Sequence, residues 1–172
     1  GILQFKQTFN FIVGGRATGK TYGALKTVIQ NKRKFMLMRR TQTQTDLINK
    51  PDFSPFKPVC EDLKINIETA NLSKYNSKFI LNDEVIGYTC ALSTIANMRG
   101  FDASDIDLLI YDEFIPERHE RPLKNEGSAF LNAYETMNRN RELKGNRPLQ
   151  VLCLANAFDI ANPIFLELGL VG

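Results

Sequence analysis

Hydrophobic positions along the chain change their period several times, and each change marks an element. The run Phe9 to Val13 is apolar and ends at Gly14-Gly15. The following segment, Lys20 to Lys32, repeats apolar residues at Ala24, Leu25, Val28 and Ile29. A strand, a glycine loop and a helix are predicted in that order. Lys34 to Met38 is a second apolar run that opens on Arg39-Arg40, and Thr41 to Ile48 reads as a short helix capped by a threonine. Together these make a β-α-β unit. The proline-marked stretch Lys50 to Pro58 breaks the pattern. Short strands are then predicted at Lys64 to Thr69, Lys78 to Leu81 and Val85 to Leu92, with Asn82-Asp83 as the hairpin turn between the last two. Asp105 to Tyr111 is apolar on both faces, the mark of a buried central strand. Gly127 to Asn138 reads as a helix, Leu149 to Leu154 as another apolar strand, and Asn162-Pro163 caps a last helix reaching Leu168. The order implies an α/β fold with a mostly parallel central sheet, flanked by helices and carrying an inserted antiparallel β-hairpin.

Composition narrows the class. A chain of 172 residues, 43% hydrophobic and 24% charged, is read as a single domain spanning 1–172. Its cysteines, Cys60, Cys90 and Cys153, are too scattered for a disulfide framework. With one histidine they offer no zinc spacing either. They are expected to be buried thiols in a reducing cytoplasm. No stretch approaches the roughly 18 apolar residues that span a bilayer, and Gly1 to Phe11 lacks the layout of a signal peptide. A net charge of +3 permits an acidic partner without requiring one.

The chemistry concentrates at two places. Gly14-Gly15-Arg16-Ala17-Thr18-Gly19-Lys20-Thr21 satisfies G-x-x-x-x-G-K-S/T between a predicted strand and a predicted helix, the context that a phosphate-binding loop needs. Such a loop wraps a phosphate in backbone N–H groups, which side chains at Gly14 and Gly19 would obstruct. The helix beginning near Lys20 turns its positive end to the same anion. Lys20 is expected to reach the β- and γ-phosphates of ATP, and the Thr21 hydroxyl to ligate Mg2+. Arg16 is either a phosphate or subunit contact, or a solvated arginine. At the second place, Leu108-Leu109-Ile110-Tyr111-Asp112-Glu113 ends a buried strand in two carboxylates. Asp112 is expected to hold Mg2+ through its water shell, and Glu113 to act as general base or to orient water.

Three further groups are candidates. Leu152-Cys153-Leu154-Ala155-Asn156-Ala157 is an apolar strand ending in an amide; Asn156 is a γ-phosphate sensor or, alternatively, a turn cap. Arg139-Asn140-Arg141 follows the Gly127 to Asn138 helix, where an arginine finger for a neighbouring subunit or plain basic residues at a helix end both fit. Arg39-Arg40 faces nucleotide or DNA, or is an exposed basic loop. His119, among four charged residues, reads as a solvated loop histidine.

The blocks Phe11 to Thr21, Met38-Arg39-Arg40, Tyr111 to Ile115, Asn138 to Glu142 and Leu152 to Ala157, in that order, resemble the DNA-packaging ATPases of small tailed phages of the phi29 type. Those are themselves distantly similar to large terminase subunits. The resemblance runs from near Phe11 to near Leu168. It implies a RecA-like, additional-strand P-loop fold and ATP-driven movement of double-stranded DNA into a preformed capsid. It also implies a homo-oligomeric ring, pentameric by family resemblance, at the portal of the viral prohead in the host cytoplasm. A packaging RNA is an optional further partner. Arg139 becomes the trans-acting finger, with Arg141 its close rival, and a nuclease-like domain is expected to follow the ATPase domain. For the DNA channel Lys57, Arg99 and Lys124 are candidates no better than their neighbours. Other ring-shaped translocases or helicases share the loop and the acidic pair, and a nucleotide switch or scaffold that binds ATP with negligible turnover is the alternative from a different class.

Overall fold

The computed structural model describes residues 9–14, 19–97, 104–112 and 126–156. Among these residues seven strands form one sheet: β1 (Phe9–Gly14), β2 (Phe35–Arg39), β3 (Glu68–Asn71), β4 (Ser77–Leu81), β5 (Glu84–Ala91), β6 (Leu108–Asp112) and β7 (Gln150–Asn156). Their spatial order is β1-β7-β6-β2-β5-β4-β3. The pairs β1/β7, β7/β6, β6/β2 and β2/β5 are parallel, and β5/β4 and β4/β3 antiparallel. The α-helices are α1 (Gly19–Gln30), α2 (Gln42–Leu47), α3 (Lys57–Leu63) and α4 (Glu126–Leu143).

The central strands β2 and β6 are apolar on both faces because both faces are covered, as in parallel sheets generally. Phe35 and Leu37 of β2, Leu108 and Ile110 of β6, and Leu154 of β7 share one core with Leu25 and Val28 of α1 and Val59 of α3. Met36, Met38, Leu109, Tyr111, Val151 and Cys153 point the other way, against Phe130, Ala133 and Met137 of α4. The Tyr111 and Phe130 rings stack at 4.8 Å. Strand pleat thus sorts alternate residues into two cores.

The predicted hairpin forms, with Asn82 and Asp83 both at positive φ, 52° and 66°, as a two-residue primed turn demands. Its second strand is not confined to an insertion, however. β5 also pairs in parallel with β2 and so belongs to the main sheet.

Three expectations need correction. The proline stretch ends in the start of a helix that the sequence did not signal: α3 carries Pro58 in its first turn, where a missing N–H costs nothing. Residues 64–67 are not a strand, because Lys64 caps α3 in the left-handed region and β3 starts only at Glu68. Finally, α4 does not stop at Asn138 but runs to Leu143, with Arg139-Asn140-Arg141 inside it. It ends at Gly145, φ 73°, with Asn146 N–H donating to the Arg141 carbonyl and Gly145 N–H to the Glu142 carbonyl. This Schellman closure is signalled by Lys144-Gly145-Asn146. The predicted helix Asn162 to Leu168 lies outside the described residues. Among the described residues no helix is long and apolar enough to cross a membrane.

Gly87 sits in register between Phe35 of β2 and Phe79 of β4. A Cβ there would lie 2.8 Å from the Phe35 carbonyl oxygen and 2.9 Å from its ring. Phe35 cannot yield, since its ring is packed 6.0 Å from Phe56 and 5.9 Å from Phe79. Gly87→Ala is expected to destabilise the domain by about 1–3 kcal/mol, read as a lowered urea midpoint. Cys90 and Cys153 are buried, and burial pushes both thiols up, as it does, less, for the half-buried Cys60. Maleimide added to the native protein near neutral pH is expected to label Cys60 alone of the three, with Cys90 and Cys153 reacting only in denaturant.

Candidate functional site

The carboxyl edge of the parallel strands brings together residues far apart in sequence. Thr21, in the first turn of α1, donates its hydroxyl hydrogen to Asp112 Oδ1 at 2.9 Å. Asp112 closes β6 and is 2% exposed. Its other oxygen, Oδ2, accepts from Arg39 Nε at 3.2 Å and from Nη2 at 3.1 Å. A desolvated carboxylate is strongly unfavourable unless paired and hydrogen-bonded on its free lone pairs; here both oxygens are occupied.

Register and pleat explain the convergence. Met38 of β2 is paired with Tyr111 of β6, so Arg39 and Asp112 are the next residues on adjacent parallel strands. Both share parity with the residues that face α1, namely Phe35 and Leu37 in β2 and Leu108 and Ile110 in β6. Both side chains therefore meet Thr21 on the α1 side.

For Arg39-Arg40 the sequence leaves two readings open, a pair facing nucleotide or DNA and an exposed basic loop. The expectation of an exposed basic loop at Arg39-Arg40 fails, since Arg40 is 1% exposed and the Arg39 side chain is mostly buried against Asp112. Only a basic residue at the end of an apolar strand hinted at this, and the partner strand could not be read from sequence.

The other predicted residues fall as follows. Gly14 ends β1 and Gly19 opens α1; Lys20, the next residue, is half-buried. Gly15, Arg16, Ala17, Thr18, Glu113, Arg99, His119 and Lys124 lie outside the described residues. Asn156 ends β7, its backbone in register with Gly14, which puts the two strand ends side by side. Lys57 is exposed at the start of α3.

Arg139 and Arg141 part company. Arg141 is 6% exposed; it donates to the Arg147 carbonyl at 2.8 Å and to the Ile106 carbonyl, and lies 3.6 Å from Asp107. It locks α4 to the segments leading into β6 and β7, and these internal bonds occupy its guanidinium. Arg139 is exposed. It also stands at the opposite edge of the sheet from Asp112. Phe130 packs on Tyr111 near the carboxyl edge, whereas Asn138 accepts from Leu149 N–H, just ahead of β7. The nine residues from Phe130 to Arg139 rise roughly 13 Å along the helix. Arg139 is thereby set away from the Thr21 and Asp112 of its own chain.

These features define a mixed α/β domain with a largely parallel sheet and a charged site where the helix that follows the phosphate-loop motif meets the carboxyl edge. The whole chain, residues 1–172, matches the model of the Podovirus DNA encapsidation protein (Gp16) family, and it belongs to that family. It is 26% identical over 175 residues to the DNA packaging protein of Bacillus phage phi29, covering 99% of this chain and 49% of that protein. The fold matches the crystal structure of the N-terminal domain of the phi29 DNA packaging ATPase with TM-score 0.74 and 26% identity, covering 99% of this chain and 84% of that one. The large terminase of a thermophilic bacteriophage shares the fold at TM-score 0.52 and 10% identity, over 93% of this chain and 37% of that one. The chain spans about half the length of the curated relatives it matches.

The two arginines are separable by stability. Arg141→Ala strips partners from buried carbonyls and is expected to cost about 1–3 kcal/mol. Arg139→Ala, on an exposed helix face, is expected to stay within about 0.5 kcal/mol of the parent. Paired urea melts check both.

Proposed function

We propose that this chain is the ATPase domain of a viral DNA-packaging motor, hydrolysing ATP as one subunit of a ring that moves double-stranded DNA through the prohead portal. The observation that carries this reading is the hydrogen bond of Thr21 to Asp112, which joins the phosphate-loop motif to the acidic strand end across 91 residues of sequence. Further support comes from the family's description as DNA encapsidation proteins and from the likeness to the N-terminal domain of a packaging ATPase. The strand order supports the additional-strand class, since β7 lies between the loop strand β1 and the acidic strand β6.

The Thr21 hydroxyl and the Asp112 carboxylate are hard oxygen donors held together, which suits magnesium. When bound with ATP, the cation neutralises charge on the phosphates. The protein's own share is positional. Backbone N–H groups of Gly14 to Gly19 cradle the phosphates, and Lys20 pairs with the β- and γ-oxygens. Glu113, directly after Asp112, orients the attacking water, and Asn156 senses the γ-phosphate from the end of β7. Arg139, set away from its own site, serves a neighbouring subunit, where it offsets charge on the transferred phosphoryl group. In this scheme an isolated subunit turns over slowly.

ATP turnover per subunit, measured against protein concentration, tests the scheme. It is expected to rise steeply with concentration, to fall about 10²-fold or more in Glu113→Gln, and to be depressed when Arg139→Ala is mixed into the parent protein. Turnover that ignores concentration and Arg139 would refute the trans finger. ATP binding with negligible turnover at every concentration would point to a nucleotide switch or scaffold.

A further inference from the structure

Arg39 engages three nitrogens at once. Nε and Nη2 converge on Asp112 Oδ2, while Nη1 donates to the Gln44 carbonyl of α2 at 3.1 Å. The guanidinium therefore bridges the carboxylate of the candidate magnesium site to a short helix. That helix is tied in turn to the far side of the sheet. Gln42 donates to Asp46 at 2.9 Å and to the Tyr75 carbonyl at 3.3 Å, and accepts from the Thr94 hydroxyl at 2.7 Å. Thr45 donates to the Cys90 carbonyl of β5, and Asn49, just past α2, donates to the Ser77 hydroxyl of β4.

We propose that Arg39 is a positioning residue of the nucleotide site, aiming the Asp112 carboxylate and transmitting its state to α2. The proposal rests on the reading of Thr21 and Asp112 as the magnesium-holding pair. Three physical points carry it. The ion pair is largely desolvated, with side chains 13% and 2% exposed, so solvent does not screen it away. A planar fork of donors fixes the orientation of a carboxylate in a way that a single ammonium cannot. Charge on Asp112 that is shared with a divalent cation is less available to the guanidinium, whose grip on Oδ2 then slackens while Nη1 still holds Gln44. Occupancy of the site is thereby felt by α2 and by the turn between β3 and β4 that Gln42 holds.

The test uses a fluorescent ATP analogue, titrated with magnesium and with EDTA, and hydrogen exchange of residues 42–47 with and without the magnesium complex. Each protein is compared by its own ratio of binding in magnesium to binding in EDTA, so that a change in magnesium-free binding cancels. The enhancement by magnesium is expected to drop about tenfold or more in Arg39→Ala, and the exchange response of 42–47 to vanish in both variants. Arg39→Lys keeps the charge that pairs with Asp112 and so keeps the fold. If it retains both the magnesium enhancement and the exchange response, the proposal is overturned even where Arg39→Ala fails to fold. A parent protein that binds no better in magnesium than in EDTA overturns the reading of Thr21 and Asp112, and this proposal with it. A parent with full enhancement and variants that match it overturn this proposal alone.

Discussion

Asp112 is a carboxylate at the end of a strand buried along its whole length, and the carboxyl edge of the sheet is arranged around the cost of keeping it there. Leaving either oxygen unpaired in that position would cost several kcal/mol in desolvation. Thr21 takes one oxygen and Arg39 the other, so the first turn of α1 and the last residue of β2 are bound to β6 by the same charge. The apolar packing below makes this possible. Phe35, Leu37, Leu108 and Ile110 hold β2 and β6 in register against α1, and that register delivers Arg39 and Asp112 to one height and one face.

The two edges of the sheet have different work. At the carboxyl edge the chain gathers the ends of β1, β2, β6 and β7, with α1 beginning there. The amino edge is fastened by charged side chains that bridge loops: Lys34 to Asp105 at 2.7 Å, Arg33 to Gln150 at 2.8 Å, and Arg141 to the carbonyls before β6 and β7. α4 connects the edges, with Phe130 packed beside Tyr111 and Arg141 locked near Asp107. That helix sets Arg139 away from the Thr21 and Asp112 of its own chain.

Between the edges, the antiparallel extension is more than an appendage. β5 pairs with β2 on one side and β4 on the other, and Gly87 is the point where the Phe35, Phe56 and Phe79 cluster needs the backbone bare. Through Thr45, Asn49 and Gln42, α2 is bonded to this extension while Arg39 holds its first turn from the other side. The extension and the charged site thus share one small helix.

Local features were legible without any structure, because they are set by neighbours in sequence. The strand-loop-helix context of Gly14 to Thr21, the apolar run ending at Asp112, the Asn82-Asp83 turn and the threonine cap of α2 depend only on periodicity and turn chemistry. Where local signals misled, a tertiary contact or an overlooked cap had prevailed. Pro58 looked like a break but sits in the first turn of α3, and Arg141 looked like a helix end but lies within α4, held by a carbonyl 35 residues away. Strand order and register are properties of the packed sheet, so only packing could set β2 beside β6 and make Arg39 the counter-ion of Asp112. Residue identity and spacing along the chain settled which groups the site contains; the pairing of distant strands, governed by which faces can be buried together, decided how they meet.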